Sequence, residues 1–112
     1  MAFIRLYTGE DGETHIEELD LESAPQLTSL HDAKRVVFRA MAPGYFNDWH
    51  VAPRRQYIIT LSGAAEIGLK DGTTYRLGAG DVNLAEDLTG GGHTTRVVSD
   101  EPRVTATIHL ED

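Results

Sequence analysis

The chain has 112 residues, no cysteine, and 18 acidic against 10 basic side chains, which gives a formal net charge of −8. This length suits one domain with a modest core. The lack of cysteine excludes disulfides, iron–sulfur clusters, thiolate zinc sites and thiol catalysis. The acidic balance argues against nucleic acid as a partner, because binding to it requires Lys and Arg that neutralise phosphates.

The hydropathy of the chain argues against a membrane partner. No apolar run approaches the roughly 20 residues that cross a bilayer as a helix. The first residues lack the basic and then apolar order that marks a signal peptide. We therefore expect a cytoplasmic protein.

Short strands and turns dominate the pattern from the first residues onward. Apolar residues predict a strand at 3–7, and residues 15–21 are typical of an edge strand. The segment 9–13 between them predicts a turn, since it contains two glycines among acids. Residues 23–34 predict a loop with room for one helical turn. We expect this first part, residues 1–34, to form an arm and loop.

The remaining residues predict a dense series of strands. Asp71-Gly72 indicates a hairpin turn, because such turns need the positive φ that glycine adopts readily. No long amphipathic helix competes with this pattern. About nine or ten short strands predict an all-β barrel or sandwich, with residues 35–110 as the barrel of a single domain. Its predicted strands are 35–42, 56–62, 64–70, 74–77, 81–85, 93–99 and 103–110.

Two histidines on separate predicted strands, His50 and His93, can converge inside such a barrel, and the polar side chain of Gln56 lies between them in sequence. The first of these segments resembles the first motif of the cupins, which fold as a double-stranded β-helix or jelly-roll barrel. That motif is glycine, five residues, His-x-His, three or four residues, Glu, six residues and glycine. Gly44, His50 and Gly63 match it in spacing, while Ala52 and Gln56 replace the second histidine and the glutamate.

The second segment resembles the second cupin motif, a Gly-Asp turn, a strand, a Pro-x-Gly turn and a histidine. Gly80-Asp81 begins it and His93 ends it, and residues 86–92 replace the Pro-x-Gly turn. The resemblance covers roughly residues 35–110 and is nearest to a bacterial group of uncharacterised cupins. It implies the cupin architecture rather than a particular activity.

The resemblance also implies a divalent metal ion, with Fe, Ni, Mn and Zn as candidates and with His50, Gln56 and His93 as its ligands. Gln56 offers only a neutral carbonyl oxygen, and Ala52 cannot bind a metal at all. Such a site would be weak unless Glu86, Asp87 or His109 contributed. The alternative is that the two histidines are hydrogen-bonded barrel residues and that Gln56 is a core amide bridging strands.

Two further residues, Arg54 and Glu86, are candidates for catalysis. Arg54 and Arg55 are neighbours, and neighbouring side chains on a strand point to opposite faces, so only one of the two can face the barrel interior. Parity with His50 and Gln56 favours Arg54. An inward arginine would bind a substrate carboxylate with its two-pronged donor. Glu86 would serve as an acid–base group with a raised pKa. The alternatives are a surface ion pair for the arginines and a solvated turn for Glu86.

Aromatic and basic residues near the histidines predict the rest of a substrate pocket, namely Trp49, Tyr57 and Arg96. The alternative for the aromatic residues is packing against the arm or across a dimer interface. We expect a homodimer that forms by exchange of the arm at residues 2–21, because this arm would otherwise leave an exposed edge.

Three functions follow from these residues. The first is a metal-dependent lyase, isomerase or oxygenase acting on a small polar or carboxylated substrate. The second is a non-catalytic module that binds or senses a small molecule with a degenerate metal site. The third is a structural dimer with a vestigial pocket.

Overall fold

The computed structural model describes residues 1–111, which form ten strands and two short helical turns. The helical turns are a 3-10 turn, Leu21–Ser23, and a helix α1, Pro25–Thr28. The strands are β1 Phe3–Thr8, β2 Thr14–Glu18, β3 Arg35–Met41, β4 Phe46–His50, β5 Gln56–Ser62, β6 Ala65–Gly68, β7 Thr74–Leu77, β8 Val82–Glu86, β9 His93–Val97 and β10 Arg103–His109.

The strands form a six-stranded sheet, in the order β2-β1-β8-β5-β10-β3, and a four-stranded sheet, in the order β4-β9-β6-β7. We call them the large sheet and the small sheet. The neighbouring strands pair antiparallel except for β1 and β8, which pair in parallel. This all-β jelly-roll arrangement confirms the predicted fold class.

The hydrophobic core lies toward β1, β6 and β7. Its members are large aliphatic side chains that are almost fully buried between the two sheets. Burying side chains of this size typically contributes about 1.5–3 kcal/mol each, so this cluster holds the sheets together. The cluster comprises Ile4, Leu6, Ile67, Leu69 and Leu77.

The other half of the interior is polar. Alternate residues of β10 face inward, and three of them, Arg103, Thr105 and Thr107, are buried although they are polar. They lie opposite alternate residues of β5, such as Thr60. The inner faces of these strands are therefore suited to a polar cavity rather than to packing.

The predicted strands agree with the structure except at β4. The sequence places His50 on a strand without giving its bounds. The structure shows this strand as β4, whose pairing with β9 shifts register between Asn47 and His50. This irregularity brings His50 opposite His93, whereas strict alternation from Asn47 would not. The hairpin at Gly72 has the expected positive φ of 90°.

The N-terminal strands belong to the large sheet. β1 pairs with β8 of the same chain over five residue pairs, and β2 forms one outer edge. The other edge of the large sheet is β3. Across residues 1–111, no helix is long and apolar enough to span a membrane.

Candidate functional site

A cavity of about 200 Å³ lies between the sheets at the polar half of the interior. Side chains from β3, β4, β5, β8, β9 and β10 line it. It brings together four of the residues that the sequence nominates, namely His50, Arg54, Gln56 and His93. These four converge although they lie up to 43 positions apart in the sequence.

A buried carboxylate orients His93. The Nδ1 atom of His93 lies 2.6 Å from Asp87 Oδ2, and Asp87 is completely buried. The hydroxyl of Thr14 donates a second hydrogen bond to the same oxygen, at 2.8 Å. Because Nδ1 donates to the carboxylate, Nε2 is the nitrogen that His93 can offer to the cavity.

His50 lies beside His93, with 4.4 Å between the ring centroids. Its Nδ1 donates to the backbone oxygen of Asp48 at 2.7 Å. Its Nε2 lies 3.4 Å from the side-chain nitrogen of Asn47, Nδ2, which fits a neutral ring that accepts a hydrogen bond at Nε2. Burial lowers the pKa of His50 below its usual value of 6.5, and the nearby His93 lowers it further.

Gly92 allows the two histidines to approach each other. It adopts a φ of +75°, and a β-carbon at this position would collide with the backbone carbonyl of His50. Glycine alone avoids both the collision and the strain of positive φ. The glycine-rich segment before His93 therefore sets the geometry of the site.

Arg54 lines the cavity and Arg55 does not, as parity with Gln56 predicts, although both residues precede β5. Arg54 Nη1 lies 3.4 Å from Gln56 Oε1 and 3.3 Å from His109 Nε2. Arg55 instead donates to Glu86 Oε2 at 2.6 Å on the opposite face of the large sheet.

The cavity is lined by positive and neutral groups. Three arginines, Arg39, Arg54 and Arg103, contribute to its walls, and none of the aspartates and glutamates within residues 1–111 does. Burial lowers the pKa of Arg103 to about 10, so this guanidinium remains protonated at neutral pH. In an acidic protein, this is a local reversal of charge.

Solved structures similar to this chain share its architecture. A protein with a double-stranded β-helix domain from Klebsiella pneumoniae is 28% identical over 67% of this chain, with a TM-score of 0.54. A cupin 2 conserved barrel domain protein from Salinispora arenicola is 22% identical over 68%, with a TM-score of 0.55. The chain has the cupin fold.

A cupin superfamily protein from Silicibacter pomeroyi, described as a sugar phosphate isomerase, is 14% identical over 91% of this chain, with a TM-score of 0.56. The chain spans 64%, 61% and 61% of the lengths of these three proteins. No family model and no curated protein matches the sequence. At these identities the comparisons establish the fold but not an activity, which must be inferred from the residues of the site.

The residues of this cavity do not fit the metal set of three histidines and a carboxylate that the cupin resemblance implies. The cavity supplies two adjacent imidazoles, but Ala52 contributes only a methyl group. Gln56 Oε1 already faces the Arg54 guanidinium, whose positive charge opposes a cation. Nowhere in residues 1–111 do three or more His, Cys, Asp or Glu side chains form a group able to hold a metal ion.

Glu86 lies outside the cavity, contrary to its predicted role there. Its carboxylate accepts hydrogen bonds of 2.6 Å from both Arg5 and Arg55. Burial favours a higher pKa, but the two guanidiniums outweigh it, so the pKa of Glu86 is lowered rather than raised. Glu86 is thus the ionised centre of an ion-pair network on the outer face of the large sheet.

The three predicted pocket residues also point away from the cavity. The ring of Trp49 lies under Lys70 Nζ at 4.1 Å, and Arg96 stacks on Phe46 at 4.3 Å. The Tyr57 hydroxyl lies 2.9 Å from His31 Nε2, where both residues line a separate outer depression. Tyr57 and Arg96 follow strand alternation, since each lies an odd number of residues from an inward neighbour, Gln56 or His93.

Sequence reasoning missed the importance of Asp87 and Arg103. The sequence offers Asp87 as a further metal donor or as part of a solvated turn, whereas the structure makes it the buried partner of His93. Arg103 was not singled out at all. The available signal was parity, because Arg103 shares the inward face of β10 with His109.

Proposed function

We propose that this cupin binds a small carboxylated molecule in the cavity, without a metal ion. The observation that carries the proposal is the set of arginine side chains on the cavity walls, in the absence of any lining carboxylate among the described residues. A guanidinium binds a carboxylate with two parallel hydrogen bonds. A cavity of about 200 Å³ is smaller than the roughly 300–1,000 Å³ of drug-sized pockets, which favours a small metabolite.

Matched pairs of an acid and its amide test this function, such as propionate with propionamide and glutarate with glutaramide. Isothermal titration calorimetry on protein treated with a chelator should detect the acids and not the amides. Arg54→Gln should weaken acid binding by at least about tenfold, the loss expected when one charged hydrogen-bond partner is removed. Arg55→Gln is the control, because Arg55 binds Glu86 outside the cavity. Binding of acids and amides alike would overturn the proposal.

The metal-dependent alternative is tested on the same protein. Metal analysis of protein purified without a histidine tag should find no stoichiometric Fe, Ni, Mn or Zn. Ala52→His restores the missing imidazole of the cupin motif and should create a metal-induced rise in melting temperature that the native protein lacks. A stoichiometric metal in the native protein would refute the metal-free site.

A second candidate function is proton transfer on the bound acid, favoured by the pair of His93 and Asp87. The carboxylate holds the His93 ring by Nδ1, so Nε2 can take a proton from a substrate carbon in the cavity. NMR should detect exchange with deuterated water of the C3 protons of pyruvate, which lie next to its keto group, or of the corresponding protons of a related oxo acid. His93→Gln should abolish this exchange while retaining acid binding. Exchange no faster than in protein-free buffer would leave a binding module.

We also propose a homodimer, through β3 rather than through an exchanged arm. The outward residues of β3 include Val36 and Phe38, which are 57% and 69% exposed at the open edge of the large sheet. They continue an apolar outer face formed with Ile108 and Ile59. An unprotected apolar edge favours pairing with another strand. Light scattering at micromolar concentration should give a dimer mass, and Phe38→Glu should give a monomer.

A cytoplasmic location stays a prediction. Cell fractionation with an antibody against the protein would check it.

A further inference from the structure

Arg103 is a buried cation with no counter-ion in the described part of the chain. Its side chain is 4% exposed, and its Nη2 donates to Thr60 Oγ1 at 3.1 Å. Its Nε has no hydrogen-bond partner. In the part of the chain that the structure describes, no carboxylate lies within 4.0 Å of this guanidinium.

A charge in this position is costly to the empty protein. Buried charges in folded proteins are normally paired, because desolvation is otherwise not offset. Arg39 adds to the positive charge, since it lines the same cavity and pairs in register with Thr105 beside Arg103. Two cations with no acidic partner among residues 1–111, both lining one cavity, indicate a site for an anion.

This anion site lies apart from Arg54. The Arg103 guanidinium contacts Thr60, which pairs with Thr105 of β10. Arg54 contacts His109 of the same strand. Four residues separate Thr105 from His109, which corresponds to about 13 Å along an extended strand. The two guanidiniums therefore lie against well-separated positions along β10, and Ile58, Thr107 and the histidines line the same cavity.

We propose that the ligand of this cavity carries an acidic group at each end, one bound by Arg54 and the other by Arg103 with Arg39. The inference rests on the proposed function and narrows its ligand class to short dicarboxylates, or to acids with a carboxylate and a phosphoryl group. A carboxyl carbon bound bidentately lies about 4 Å from the guanidinium carbon. If the strand spacing of about 13 Å also separates the two guanidinium carbons, about 5 Å remains between the two carboxyl carbons, which matches a dicarboxylate of four or five carbons, such as succinate or glutarate.

Calorimetry with glutarate and monomethyl glutarate tests the Arg103 anion site directly, because these probes differ only in one charged end. Glutarate should bind at least about tenfold more tightly than its monoester. Arg103→Met should reduce glutarate binding to the level of the monoester and leave the monoester unchanged. Arg76→Met is the control, since Arg76 is exposed on β7. 3-Phosphonopropionate distinguishes a phosphoryl group from a carboxylate at that site.

Stability of the empty protein supplies a readout independent of binding. If Arg103 is held for a ligand, Arg103→Met should raise the melting temperature, because an unpaired buried charge is removed. A purely structural arginine would give a fall instead. If Arg103→Met does not fold, Arg39→Met serves as a second variant, because Arg39 is exposed and its substitution should be tolerated. Arg39→Met should also weaken glutarate binding.

The failures of the two proposals are distinguishable. If no acid binds, the proposed function fails, and the dianionic ligand fails with it. If monoacids bind but glutarate has no advantage over its monoester, or if Arg103→Met leaves that advantage intact, only the Arg103 anion site is overturned.

Discussion

Asp87 connects the two sheets to the site, and its removal should be among the most damaging single changes. Its Oδ2 accepts hydrogen bonds from Thr14 at 2.8 Å and from His93 at 2.6 Å, and the residue is fully buried. We therefore compare Asp87→Ala, which removes the oxygen that accepts both hydrogen bonds, with Asp87→Asn, which keeps an oxygen in the same place.

The magnitudes follow from the number of donors left without a partner. Each unpaired buried donor costs about 1–3 kcal/mol, so Asp87→Ala should lower the free energy of unfolding by about 4 kcal/mol. Asp87→Asn retains both hydrogen bonds but loses their charge-assisted strength and buries an amide nitrogen at the position of Oδ1, which has no partner. A loss of about 2 kcal/mol follows, or roughly 9 °C in melting temperature for a domain of this size.

Urea unfolding followed by Trp49 fluorescence measures both losses. Asp100→Asn is the control, because Asp100 is exposed and its substitution should change stability by less than about 0.5 kcal/mol. A loss below about 1 kcal/mol for Asp87→Ala would refute the reasoning. So would equal losses for the alanine and asparagine variants.

Three further predictions concern the residues around the site. Gly92→Ala should cost about 2 kcal/mol or more by urea unfolding, because it adds a backbone collision to the strain of positive φ; Gly72→Ala, with φ +90° and open space, should cost only about 1 kcal/mol. Folding lowers the pKa of His50. The contribution of the neutral imidazole to the free energy of unfolding is therefore present above about pH 6.5 and is lost as the pH falls through the lowered pKa. His50→Asn should therefore flatten the decline of the urea midpoint between pH 7 and pH 5, and an unchanged decline would contradict this. Glu86→Gln should cost about 1 kcal/mol, since its arginine partners are more than one-third exposed, and calorimetry should show unaltered acid binding; a tenfold loss would place Glu86 in the site after all.

Motif spacing identified the cavity-lining histidines because a cupin scaffold keeps that spacing while its ligand types change. Parity with Gln56 favours Arg54 over Arg55, and Arg54 is the one that lines the cavity, although both residues precede β5. The same rule applies to Tyr57 and Arg96, and would have placed both on the outer faces. Alternation does not predict the orientation of Trp49, because the register shift in β4 between Asn47 and His50 interrupts the alternation there.

The interactions that complete the site are not visible in the sequence, since they join distant positions. Thr14 and Asp87 are 73 residues apart, and nothing local indicates that one caps the other. The role of Glu86 depends on Arg5, which is 81 residues away. Likewise, the unpaired state of Arg103 is a property of its surroundings in the fold rather than of its neighbours in the chain.

The parallel pairing of β1 with β8 has a consequence for the order of folding. Ile4 and Leu6 belong to the hydrophobic core, but their strand has a partner on the β8 side only when residues 82–86 are available. During synthesis the first strand must remain unburied until most of the chain has been made. Closing so long a loop is entropically costly and typical of slowly folding β proteins. The β1 strand therefore lacks its β8 partner, and stays open to proteases and chaperones, until residues 82–86 have been made.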